Sequence, residues 1–210
     1  GWISSAKDKE ALMDHEINQL SDLSLEIGFP GNVDEIMNAL EQGTPVPIPV
    51  GSNSVQLKLS FYMDKMPHGI VDKQVAGIGA TSLEIDSKRN SIIVFPTKIL
   101  AYNKWQRNKT KLLYVGGKIN DERDTTSIKE IQSYLSDDKV VYKKFLVVAD
   151  SLYKLLQIIE KERYKDYFLM IDEVDMIQSE SNYRPRLESL IDHYFEFPPK
   201  NRCLVTATMR

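Results

Sequence analysis

The chain has 210 residues, 42% of them hydrophobic and 27% charged, with a formal net charge of −3, which suits one folded, soluble domain of ordinary size plus an extension. Its longest apolar runs span five to six residues, far short of the twenty or so in a membrane helix, and no leader pattern opens it, so no membrane partner is expected. The single cysteine, Cys203, rules out a disulfide framework and fits a reducing, cytoplasmic location, while Lys and Arg scattered among Asp and Glu argue against a strongly basic grip on nucleic acid.

The opening GWISSA lacks an initiator methionine, reads as a processing or tag remnant, and carries no weight here. Residues 7–43 read as helical. Leu12, Ile17, Leu20, Leu23 and Ile27 approximate one apolar face ended by Gly28 and Pro30, and a second helix over 34–42 has Asn32 as N-cap and Gly43 at its end. TPVPIPVGSN then forbids a helix through its alternate prolines. The expected division is therefore a helical extension over 1–44 and a main domain over 45–210.

From there short apolar runs alternate with helical segments. GIVDKQVAG, SIIVFP, KLLYVGG, FLVVAD, YFLMIDE and RCLVTAT read as strands, the middle ones continuous enough to be buried on both faces. Helices are expected over 81–89, 98–107, 126–135, 151–163 and 184–194. This rhythm predicts an α/β fold with a mostly parallel sheet and helices on both sides, in which ligands bind beyond the carboxyl ends of the strands.

The stretch QVAGIGATSLEI has the form of a phosphate loop entering a helix. Gly77 and Gly79 let backbone N–H groups approach phosphate oxygens, and the helix beginning near Thr81 adds its dipole. Against the full pattern G-x-x-x-x-G-K-[ST], Gln74 replaces the first glycine and Ala80 the lysine, whereas Gly79 and Thr81 match. Three readings follow: a damaged nucleotide site, a variant site with its cation elsewhere, or a glycine turn packing a strand on a helix. Lys73, Lys88 and Lys98 are the candidate replacement cations, and Lys73 leads because it is nearest in sequence. Farther on, YFLMIDEVD delivers Asp172, Glu173 and Asp175 at a strand end, where Asp172 suits Mg²⁺ and Glu173 suits polarising a water; a solvated acidic turn is the alternative.

IIVFPTKILAYNKW places Pro96, Thr97 and Lys98 at another strand end, and CLVTATM does the same for Thr206 and Thr208. In this order the stretches AGIGATS, VFPTKILAYNK, LYVGG, VVADSLYKLL, IDEVD and VTATM resemble motifs I, Ia, the glycine pair, the strand and helix after Ib, II and III of the first RecA-like P-loop domain of superfamily 2 DEAD/DEAH-like helicases and translocases. The resemblance covers about two thirds of the chain and implies a three-layer α/β/α fold. It implies ATP and Mg²⁺ as cofactors. Gly77, Ile78, Gly79, Ala80, Thr81 and Ser82, with Lys73, would surround the phosphates; Asp172 and Thr81 would hold the metal, and Glu173 would act as base. Thr206 and Thr208 would couple nucleotide state to strand binding, and Pro96, Thr97 and Lys98 would lie near a DNA or RNA backbone. The implied protein partner is a second RecA-like domain C-terminal to this segment and absent from the chain. The sequence departs from the family in having no phosphate lysine and no recognisable Q-motif glutamine. Two functions therefore stand: the N-terminal motor domain of a nucleic-acid-dependent ATPase, or a degenerate, non-hydrolysing P-loop module. The aromatic residues Tyr62, Trp105, Tyr114, Tyr142 and Tyr153 are scattered, and core packing is expected for most of them.

Overall fold

Alternating apolar runs and helical segments become a layered α/β arrangement in the computed structural model, which describes residues 59–61, 63–72, 79–172 and 183–206. The expected N-terminal helices lie outside the described residues. The chain divides into two units, Gly1–Ser87 with Val205–Arg210, and Lys88–Leu204, each described by itself.

In the first unit a 3-10 turn at Leu59–Phe61 precedes strand β1, Gly69–Asp72, and helix α1, Ala80–Asp86. Ala80, Thr81, Leu83 and Glu84 are buried, the i, i+1, i+3, i+4 pattern of a helix with one covered face. Glu84 lies fully buried on that face. Its Oε2 accepts the Met66 N–H at 3.0 Å, and its Oε1 lies 3.2 Å from the Ser87 hydroxyl. A carboxylate removed from water requires such donors, so Glu84 fastens the segment before β1 to α1. Ser87 closes the helix by returning its N–H and its hydroxyl to the Glu84 carbonyl.

The second unit contains β2 (Ser91–Phe95), α2 (Lys98–Trp105), β3 (Leu112–Val115), α3 (Ile128–Leu135), β4 (Lys144–Val148), α4 (Leu152–Ile158), β5 (Phe168–Ile171), α5 (Tyr183–Glu196) and the start of β6 (Arg202–Thr206). The strands are ordered β6-β5-β2-β4-β3, and each of these four pairs is parallel. In the first unit β1 is the neighbour of β6. The expected mostly parallel sheet with flanking helices is thus the observed one. Ile92, Ile93, Val94, Phe145, Leu146 and Val147 have no exposed surface, which explains why their sequence shows no alternation: helices cover the sheet on both faces.

Several boundaries differ from expectation. The helix expected over 151–163 stops at Ile158. Ile159 is extended, and Lys161–Asp166 forms a 3-10 turn instead. That turn buries Tyr164, whose ring stacks on Phe197 with centroids 4.4 Å apart, a contact a continuous helix would not have to provide. The helix expected over 81–89 ends at Asp86, so Lys88 lies beyond it and not within it. Among the aromatics, Tyr114 is buried and Trp105 half-buried, but Tyr142 and Tyr153 are exposed, against the expectation of core packing; Tyr62 lies outside the described residues.

Burial also shifts the phenols. Tyr134 donates to the Lys111 and Lys144 carbonyls and accepts the Lys144 N–H at 2.8 Å. Its pKa is pushed up to about 12, chiefly by desolvation, which the Lys144 backbone N–H opposes. Tyr114 is likewise pushed up to about 12 by desolvation, against the pull of Arg123, and desolvation raises Tyr164 and Tyr167 as well. The folded state holds these protons more tightly than the unfolded chain, whose tyrosines titrate near 10. The stabilisation is whole below pH 10 and is lost as the pH rises toward about 12. Denaturant titrations at stepped alkaline pH should therefore show the midpoint falling through that window, together with a tyrosinate absorbance step that coincides with unfolding. A midpoint constant across the window would contradict the shifts.

Candidate functional site

In the first unit the candidate residues begin at Gly79. It is the N-cap of α1, with φ 84° and ψ 22°, in the left-handed region that glycine enters without strain. Its carbonyl accepts the Leu83 N–H at 2.8 Å, the first bond of the helix, and no side chain caps the start. Ala80 and Thr81 are buried, and Ser82 is half-buried. Lys73, Gly77 and Ile78 lie outside the described residues.

In the second unit the parallel strands bring their carboxyl ends to one edge. Asp172 follows β5 directly and is only 6% exposed. Its N–H donates to the Val94 carbonyl at 3.0 Å, which extends the β5–β2 ladder by one bond and fixes the Asp172 backbone beside the end of β2. Pro96 and Thr97 follow β2 and begin α2: Thr97 Oγ1 accepts the Leu100 N–H at 3.4 Å as N-cap, and Lys98 is exposed. The structure therefore brings Asp172, Pro96, Thr97 and Lys98 to the ends of two adjacent strands. Thr206, which belongs to the first unit, is the buried last residue of β6. Glu173 and Thr208 lie outside the described residues.

Lys98 also reaches the glycine pair after β3. Its Nζ donates to the Lys118 carbonyl at 3.1 Å, and a Cβ on Gly117 would meet its stem at 3.6 Å. The loop from Gly116 to Ser127 is built around Thr126, which is fully buried: its hydroxyl accepts the Gly116 N–H at 3.2 Å and donates to the Tyr114 carbonyl at 2.8 Å. Arg123 reinforces it, bonding Glu130 at 2.8 Å while its guanidinium lies over the Trp105 and Tyr114 rings at 5.2 and 5.7 Å. Gly116 must be glycine, because a Cβ there would collide with the Tyr114 phenol and with Val148.

Sequence reading missed Glu84, Thr126, Arg123 and Lys154. For Glu84 a signal existed, since it falls on the helical face of Ala80 and Leu83. The other three act across contacts between loops that no local pattern records.

The sequence profile described as DEAD/DEAH box helicase matches residues 74–210, well over half of the chain. The chain belongs to that family. The matched region includes α1 and β2 through β6, so the strand-end residues described above fall inside it. No curated protein is significantly similar to the helicase-family chain. Among the described residues, no helix of it is long and apolar enough to cross a membrane.

The α2 cap is open to a direct test. Thr97→Ala should cost about 1 kcal/mol of stability, the usual worth of an N-cap, and Thr97→Ser should restore most of it. Chemical denaturation of the three proteins measures this, and an unchanged midpoint in Thr97→Ala would show that α2 does not depend on the cap.

Proposed function

We propose that this DEAD/DEAH-family domain is the N-terminal motor lobe of a nucleic-acid-dependent ATPase with a variant phosphate loop. The observation that carries the reading is the place of Asp172: a residue 6% exposed, directly after β5 and bonded through its N–H to the end of β2, inside the region that matches the family. The start of α1, with Gly79 in the left-handed region, suits the close approach of a phosphate to the backbone. The chemistry of Asp172 and of the Gly79 helix start supports ATP and Mg²⁺ as the ligands. In this reading Gly77, Ile78, Gly79, Ala80, Thr81 and Ser82 surround the phosphates, Asp172 and Thr81 hold the metal, and Glu173 takes a proton from the attacking water. When bound, Mg²⁺ neutralises phosphate charge. Lys73 supplies the cation that Ala80 cannot. Thr206 and Thr208 link nucleotide state to a DNA or RNA strand near Pro96, Thr97 and Lys98. The protein is assigned to the cytoplasm, with an N-terminal helical extension over 1–44, and works with a second RecA-like lobe.

A second reading is favoured by Ala80 itself. It is a 4% exposed methyl at the first position of α1, where the family pattern has an ammonium. A domain with that change can bind nucleotide through backbone alone and leave it unhydrolysed.

Calorimetric titration separates the two. In the motor reading, Mg²⁺ tightens ATP binding in the wild-type chain, Asp172→Asn abolishes that gain, and Lys73→Ala weakens ATP. In a protein carrying both lobes, Glu173→Gln should lower turnover by about two to four powers of ten while leaving binding intact. In the degenerate reading Lys73→Ala is silent, and Ala80→Lys tightens ATP more than AMP. Absence of ATP binding in all of these proteins would refute both. The 210-residue chain alone should separate no strands, because unwinding needs two lobes closing on one nucleotide; unwinding by this chain would overturn the single-lobe assignment.

A further inference from the structure

Charge is unevenly spread over the second unit. Between Asp86 and Asp121 the sequence holds eight Lys and Arg residues and no acidic one, in a chain whose net charge is −3. The fold gathers most of these cations in one place. β2, β4 and β3 are consecutive neighbours, and Ser91, Lys144 and Leu112 stand level at their starts, so the loops entering the three strands meet side by side at the amino edge of the sheet. Lys88 enters β2, Arg107, Lys109 and Lys111 join the end of α2 to β3, and Lys139 enters β4; all five are exposed. Lys104, in the last turn of α2, complements the carbonyls that end the helix, but Arg107, Lys109 and Lys111 lie beyond that helix. Lys109 Nζ lies 5.3 Å from the Trp105 ring, a contact that leaves its charge unneutralised.

β4 lies between the other two strands, so its entering loop is flanked by theirs. That loop presents Val141 and Tyr142, 75% and 42% exposed. Both neighbours in the chain are anchored. Val140 is buried, and Lys143 donates its N–H to Asn90 Oδ1 at 2.8 Å and its ammonium to the Asp137 carbonyl. The two apolar side chains are therefore held in water between fixed residues, with cations on either side. Such a surface fits a protein segment that carries carboxylates around an apolar side chain. It fits a nucleic-acid strand less well, because Val141 offers no flat face to a base, and the exposed Asp137 and Asp138 of the same loop repel a continuous row of phosphates.

We propose that the amino edge of the second unit is a docking surface for an acidic protein segment with an apolar anchor. Val141 and Tyr142 receive the anchor, while Arg107, Lys109 and Lys111 on one side and Lys88 on the other attract the carboxylates. The surface lies at the opposite end of the strands from Asp172, Thr97 and Lys98, so a partner held there leaves that edge uncovered.

The probe is a fluorescein-labelled synthetic peptide of repeating Glu-Glu-Leu, titrated with the 210-residue chain by fluorescence anisotropy. Glu-Glu-Ser and Lys-Lys-Leu peptides of the same length and an oligo-dT of the same charge are measured beside it. The Glu-Glu-Leu peptide should bind, more tightly as salt falls, and the Lys-Lys-Leu peptide should not. Combining Arg107→Ser, Lys109→Ser and Lys111→Ser should weaken Glu-Glu-Leu about tenfold, the usual sum of three exposed charge pairs. Val141→Ser with Tyr142→Ser should remove the advantage of Glu-Glu-Leu over Glu-Glu-Ser and leave the latter's affinity as it was. Lys118→Ser, which removes an exposed cation from the carboxyl edge, should change neither. The proposal is wrong if no acidic peptide binds at low salt, if wild type does not distinguish Glu-Glu-Leu from Glu-Glu-Ser, or if the three-cation variant holds Glu-Glu-Leu as wild type does. It is also wrong if that variant loses oligo-dT alone, which would assign the surface to nucleic acid.

Discussion

The register of β2 between β4 and β5 governs what the second unit can present, and one asparagine sets it. Asn90 precedes β2 and bonds both neighbours: its Oδ1 accepts the Lys143 N–H at 2.8 Å, its Nδ2 donates to the Asp166 carbonyl at 3.3 Å, and its own carbonyl accepts the Phe168 N–H at 2.9 Å. Three strands therefore start level. Phe95 ends level with Val148 and Ile171 level with Val94, one residue earlier, so Asp172 and the residues after Phe95 and Val148 emerge on one edge. A slip of one residue would turn each buried side chain to the opposite face and move Asp172 out of line with the end of β2.

The opposite edge carries a different burden. Lys144 begins β4 with 3% of its surface exposed, its ammonium 2.9 Å from Ser91 Oγ at the start of β2. Tyr134 bonds the backbone of the same residue, and its ring meets Phe145 edge-on at 5.1 Å. Polar groups buried at the starts of the strands are thus satisfied by partners on neighbouring elements, which stiffens the sheet from below. The carboxyl edge can then be built from loops without losing alignment, as the Gly116–Ser127 loop illustrates with its own fixed centre at Thr126.

In the first unit the corresponding fixed point is Glu84. A carboxylate with no exposed surface is an expensive group to keep, and the Met66 N–H from the segment before β1 helps to hold it. Its role is positional: by tying Met66 to α1 it sets where β1 begins relative to the helix that starts at Gly79.

The sequence by itself determined the fold class, because continuous apolar runs such as IIVF and FLVV between helical segments have few solutions other than a parallel sheet covered on both faces. It also determined which residue types stand at the ends of strands and at the start of a helix, since the order of Gly79, Thr97, Asp172 and Thr206 in their motifs is local information. Tertiary structure decided the rest. The 3-10 turn that replaced the end of a helix exists because Tyr164 stacks on a residue 33 positions away, and propensity has no access to such a contact. Tyr114 and Tyr153 are the same residue type, and both stand in apolar segments near strand ends. One is enclosed under a glycine loop and the other stands in water, and only the packing of neighbouring elements distinguishes them.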